Sequence, residues 1–121
     1  MERNIVLVEL RGTPASAGKV RGIARVVRCD PNGRDTASDT QSVRDGEILV
    51  CNITTPVWTT VFGRIGGVVA EEGGILSHPA IVAREHKIPA VVGCPYACVY
   101  ISTGALIEID GSNGSVIILG G

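Results

Sequence analysis

The chain has 121 residues, enough for one domain with a modest core, and a formal net charge of −1 from 11 basic and 12 acidic side chains. That balance gives no electrostatic footing for nucleic acid or an anionic membrane surface. Apolar residues reach 45% but aromatics only 3%, so Val, Ile, Leu and Ala must build the core, and 16 glycines point to many tight turns.

Taken in order, "NIVLVEL" (residues 4–10) is apolar and β-branched and predicts a strand, with charges on both sides that argue against a signal peptide. "RGTPASAGKVRG" has loop chemistry, and residues 23–29 predict a second strand. Residues 30–46 are polar and turn-rich and predict a surface loop. "EILVCNI" (47–53) predicts a third strand. A helix is expected to follow, with Thr55 as N-cap, Pro56 in the first turn, Val57, Val61 and Phe62 facing the core, and a stop near Gly63. "GVVAE" (67–71) and "PAVVG" predict short buried strands, and "CPYACVYIST" a connector with one helical turn. The two alternating runs around "DGSNG" predict a closing hairpin. Strands at both ends and a β/α alternation in the middle predict a single compact mixed α/β domain. Cys29, Cys51, Cys94 and Cys98 lack zinc spacing and are expected to be reduced thiols, in keeping with a cytoplasmic protein.

The segment "GGILSHPAIVAREHKIPAVVG" (73–93) raises the chemical question. Gly73 and Gly74 allow an unusual backbone turn, Pro79 suits the first turn of a helix, and Pro89 ends it. His78 then stands at a helix mouth, where free N–H groups and the positive dipole end favour an anion such as phosphate. A neutral imidazole there can act as a nucleophile toward phosphorus. The plainer alternative is that His78 only caps the helix. Shared metal ligation with His86 fails: eight residues of helix separate the rings by ~12 Å of rise and ~80° of rotation. His86 suits the helix C-terminus instead, and no metal site is predicted.

The same segment resembles the phosphohistidine motif of the phosphoenolpyruvate-utilising enzymes, a family that includes phosphoenolpyruvate synthase, pyruvate phosphate dikinase, enzyme I, rifampin phosphotransferase and phenylphosphate synthase. "GTPASAGKVRGIARVV", "GEILVCNITTPVWTTVF" and "GALIEIDGSNGSVIIL" resemble further parts of it, so residues 10–119 are covered. The resemblance implies a swivelling β/β/α domain of mixed sheets and short helices that shuttles phosphoryl between distant sites. It implies that His78 is phosphorylated, on Nε2. It also implies that Thr55 hydrogen-bonds the ring, that Gly73, Gly74 and Ser77 frame it, and that Arg84 is a candidate phosphate contact. For Thr55 the competing role is the N-cap; for Arg84 it is a solvated pair with a carboxylate. Leu76 stands where dikinases carry a regulatory threonine, and Pro79 where an alanine is usual.

"GRIGG" does not match a P-loop, and Glu71 and Glu72 read as turn or surface charges. No cofactor is therefore expected on this chain. Mg2+ and ATP or phosphoenolpyruvate are implied for partners: a nucleotide-grasp domain or subunit and an acceptor-binding or phosphoenolpyruvate-binding one. The chain reads as the phosphohistidine component of a multi-part phosphotransferase, not a complete kinase. Its starting methionine favours a separate polypeptide over an excised piece. The alternative function is a docking or regulatory module that keeps the fold.

Overall fold

A computed structural model describes residues 8–28, 42–52 and 60–120. Among the described residues eight strands and two helices follow one another as β1 (Val8–Arg11), β2 (Thr13–Ser16), β3 (Lys19–Val27), β4 (Ile48–Cys51), β5 (Gly67–Ala70), α1 (His78–His86), β6 (Ala90–Val92), α2 (Ala97–Tyr100), β7 (Leu106–Asp110) and β8 (Ser115–Gly120). The hydrogen-bonded order is β1-β8-β7-β3-β4-β5-β6-β2.

The nine-residue β3 serves two sheets. Lys19–Ile23 pairs antiparallel with β7, and Ala24–Val27 pairs parallel with β4. The β1, β8 and β7 side is antiparallel, whereas β3, β4, β5 and β6 run parallel, with β2 antiparallel at the edge. Strands β4, β5 and β6 are buried at every position, as expected for parallel strands covered on both faces. Period-two alternation then sorts their side chains. Ile48, Val50, Val69 and Val91 pack against Ile107, Ile109, Val116 and Ile118 of the antiparallel sheet. Leu49, Cys51, Val68, Ala70 and Val92 pack against Ala80, Val82 and Ala83 of α1. The layers are thus sheet, sheet, helix: the swivelling-domain arrangement expected from the resemblance.

Two expectations are corrected. The segment 11–22, read as loop, contains β2 and the first half of β3. Its small residues carry no strand periodicity; β6 and β7 recruit them by pairing. The strand expected at 23–29 therefore starts earlier, at Lys19, and ends at Val27. The closing hairpin, the short α2 and the buried strands at 67–70 and 90–92 agree with the sequence. Of the expected helix after β4, residues 53–59 lie outside the described residues, as do Thr55, Pro56 and Trp58. Thr60 and Val61 form a 3-10 turn that ends by Arg64. Of the expected surface loop, only 42–46 is described, and Val43 within it is buried.

Cys51, Cys94 and Cys98 are buried thiols outside any disulfide. Burial, reinforced by the Glu71 carboxylate, pushes Cys94 to about 11 and Cys98 to about 12, which keeps both protonated and unreactive. Among the described residues no helix is long and apolar enough to cross a membrane.

One ion pair braces the junction of the two sheets. Glu47 accepts from Arg25 Nε and Nη2, both at 3.0 Å, and from the Arg44 N–H at 2.7 Å. Burial alone would raise this carboxyl. The Arg25 hydrogen bonds, the Arg44 N–H and the charges of both arginines outweigh burial and hold it below its ordinary value of 4.5. Glu47→Gln is expected to cost about 1–3 kcal/mol near neutral pH. Because the folded carboxyl is the more acidic one, the wild-type advantage is complete above the ordinary value of 4.5. It disappears as pH falls through the folded value. Denaturant melts of both proteins at about pH 7 and about pH 3 check this.

Candidate functional site

The site lies at the carboxyl end of the parallel strands, where open α/β sheets place ligands. β5 ends at Ala70, the loop 71–77 follows, and α1 begins at His78. The loop's first residues are held by backbone bonds to the end of β4: Glu71 N–H donates to the Cys51 carbonyl at 2.9 Å and Glu72 N–H to Asn52 at 3.0 Å.

Gly73 takes φ +103°, and a Cβ there would lie 2.7 Å from Ser77 Oγ. Only glycine meets both demands without strain. Gly74 has a clear surrounding: nothing lies within 4 Å of a Cβ built on it. The two glycines, alike in sequence, therefore do different work. Ser77 is the N-cap residue by position, with extended backbone (φ −75°, ψ 162°), yet its side chain makes no cap hydrogen bond. Ser77 Oγ donates instead to the Gly74 carbonyl at 2.6 Å, and Ser77 N–H donates to the same oxygen at 3.0 Å. The hydroxyl closes the loop and does not cap the helix. Pro79 stands in the first turn, which contains no acidic residue. Within that turn, then, no carboxylate offsets the positive dipole end.

His78 is the first residue of α1 and is half-buried. Helical side chains tilt toward the N-terminus, which carries this ring over the mouth. Its inner side rests against Phe62, edge to face, with centroids 6.3 Å apart and planes at 72°. Phe62 is fully buried and also meets His86, centroids 6.5 Å apart. The sequence identified Phe62 as core; its role as the floor under His78 needed the fold. Ile75 and Leu76 of the loop are 54% and 80% exposed, and Ile81 of α1 is exposed as well. His86 ends the helix, as expected, and is exposed.

Arg84 donates from Nη1 to the Ala15 carbonyl at 2.7 Å and from Nη2 to the Ile75 carbonyl at 2.5 Å. This is a different engagement from the carboxylate pair entertained above. Glu71 was read as a turn charge, but its Oε2 accepts the Cys98 N–H at 2.8 Å and so holds the start of α2. A partner 27 residues away leaves no local signal in the sequence. The structure thus brings together His78, Gly73, Gly74, Ser77 and Arg84 around one loop. Thr55 lies outside the described residues. Among the described residues no group of three or more His, Cys, Asp or Glu side chains could hold a metal ion.

Residues 43–114 match the family described as "PEP-utilising enzyme, mobile domain". The chain is 41% identical over 111 residues to chondramide synthase cmdD of Chondromyces crocatus, covering 92% of this chain and 3% of that protein. It is 40% identical over 109 residues to a probable phosphoenolpyruvate synthase of Staphylothermus marinus, covering 90% of this chain. It is 39% identical over 116 residues to a rifampicin phosphotransferase of Bacillus cereus, covering 96% of this chain. The chain spans 12% of the length of each of these last two. Among solved structures, an Enzyme I solution structure (nEIt) superposes with a TM-score of 0.57 at 31% identity, covering 65% of this chain and 33% of that one. Aconitase X of Thermococcus kodakaraensis superposes with a TM-score of 0.68 at 22% identity, covering 93% and 98%, which shows a shared fold. With His78 at the first turn of α1 on a sheet–sheet–helix body and a family match across more than half of its length, the chain belongs to the mobile-domain family of the PEP-utilising enzymes.

Proposed function

We propose that the chain is a phosphoryl carrier in which His78 accepts a phosphoryl group from one partner and delivers it to another. The observation that carries this reading is the pairing of a half-buried imidazole with a helix mouth that its own N-cap serine leaves uncovered. Named phosphotransferases and a probable phosphoenolpyruvate synthase among the relatives support phosphoryl transfer as the chemistry.

In the forward step the neutral Nε2 of His78 attacks phosphorus in line. The N–P bond forms, the bond from phosphorus to the donor's leaving oxygen breaks, and that oxygen keeps the electron pair. The phosphoimidazole gains negative charge beside the dipole end of α1, which favours it. In the return step an acceptor oxygen attacks phosphorus and the N–P electron pair goes back to the ring. Phe62 holds one side of the ring in place during both steps. Nucleotide or phosphoenolpyruvate, and the Mg2+ that screens the donor's charge, are assigned to partner domains, consistent with relatives of which this chain spans a small part. The acceptor follows from the partner, and pyruvate or another small molecule fits the reading equally.

A docking or regulatory module would keep the fold without the chemistry, since fold alone does not fix function. Incubation with the nucleotide-grasp domain of a relative and γ-labelled ATP separates the two. Acid-labile, base-stable label that persists in His86→Ala and vanishes in His78→Ala is expected. Label on neither histidine with any donor domain favours the docking module.

The loop yields a second expectation. Gly73→Ala should strain the backbone and push the Ser77 hydroxyl off the Gly74 carbonyl, at about 1–3 kcal/mol. Gly74→Ala should stay within ~0.5 kcal/mol. Denaturant melts of the two variants provide the check, and equal costs would mean that the loop is not built as described.

A further inference from the structure

Arg84 is the one site residue whose sequence-derived role, phosphate contact, has a distinct competitor in the geometry. It lies on α1 beyond the loop it touches, and its side chain runs back toward the helix N-terminus, as long helical side chains do. Its two terminal nitrogens diverge to two carbonyls of different origin.

The first is the carbonyl of Ala15 in β2. β2 is an edge strand, bonded to β6 on one side. Its register shifts between Pro14 and Ser16, so Ala15 has no cross-strand partner in the ladder. A buried carbonyl at such a bulge must find a donor elsewhere, and Ala15 is 6% exposed. The second is the carbonyl of Ile75, midway along the histidine loop between the glycines and Ser77. One planar guanidinium therefore spans from an edge-strand bulge to the middle of the loop. A lysine, a single point of charge, cannot make both bonds in that fork.

We propose that Arg84 is a positioning residue: it staples the histidine loop to the β2 bulge and so fixes where His78 stands, without itself touching the phosphoryl group. This rests on the carrier reading above. The bulge leaves Ala15 without a ladder partner, and Arg84 joins its carbonyl oxygen to the loop.

The full-length chain, Arg84→Lys and Arg84→Gln are compared by two measurements. The first is amide hydrogen exchange of the unphosphorylated protein. Ser77, whose N–H rests on Gly74, should exchange at least about tenfold faster in both variants, while Val69 in the central sheet stays unchanged. The second uses phosphoramidate as a small phosphoryl donor: its P–N bond breaks, ammonia leaves, and the His78 N–P bond forms. The pH titration of the phosphohistidine 31P signal should have the same midpoint in all three proteins, because the Arg84 guanidinium is engaged by the Ala15 and Ile75 carbonyls rather than by the phosphate. Unchanged Ser77 exchange in Arg84→Gln overturns the staple. A titration midpoint that moves in Arg84→Gln and returns in Arg84→Lys overturns it in favour of direct phosphate contact. Should the unaltered chain take no phosphoryl group, the carrier reading fails, while the exchange measurement still decides the staple.

Discussion

The direction of one hydroxyl governs the site. A serine at an N-cap ordinarily turns its oxygen onto the N–H groups of the first turn and closes the helix end. Ser77 turns away and donates to the Gly74 carbonyl, which it can reach because Gly73 adopts φ +103° and brings no side chain into the space. A helix whose N–H groups are not covered by its own cap, and whose first turn lacks a carboxylate, is a ready seat for an oxyanion. The loop bond and the open mouth are therefore the same event seen from two sides.

The rest of the fold serves that event. Parallel strands β4, β5 and β6 bring three chain segments to one edge. The antiparallel sheet covers their far face, and α1 covers the near one. Glu71 ties the beginning of the loop to α2, and Arg84 ties its middle to β2. A carrier gains from this rigidity: most of what a protein can add to phosphoryl transfer is position, and a misplaced ring forfeits it. Ile75 and Leu76, in the same loop, present apolar side chains to solvent.

How much of this was readable in the residues depends on how local each cause is. His78 at a helix mouth followed from Gly73, Gly74, Pro79 and Pro89 within one short stretch, and the resemblance named its chemistry. The buried strands 67–70 and 90–92 and the closing hairpin were legible because their patterns are self-contained. β2 was not: "TPAS" has a proline and small side chains, and it is a strand only because β6 offers an edge. Glu71 and Arg84 were visible as charges, but what they hold lies 27 and 69 residues away. Ser77 stands at the junction of loop and helix, and whether its hydroxyl turns to one or the other depends on the backbone of Gly73, which no local pattern reveals.

The most direct measurement of the central claim is a long-range 1H–15N spectrum of the two histidine rings, before and after treatment with phosphoramidate. If His78 is the phosphoryl acceptor, its ring alone changes, to the pattern of an Nε2-substituted imidazole, while the His86 ring keeps its shifts. Substitution at His86, or an unaltered His78 ring under conditions that modify free imidazole, would contradict it.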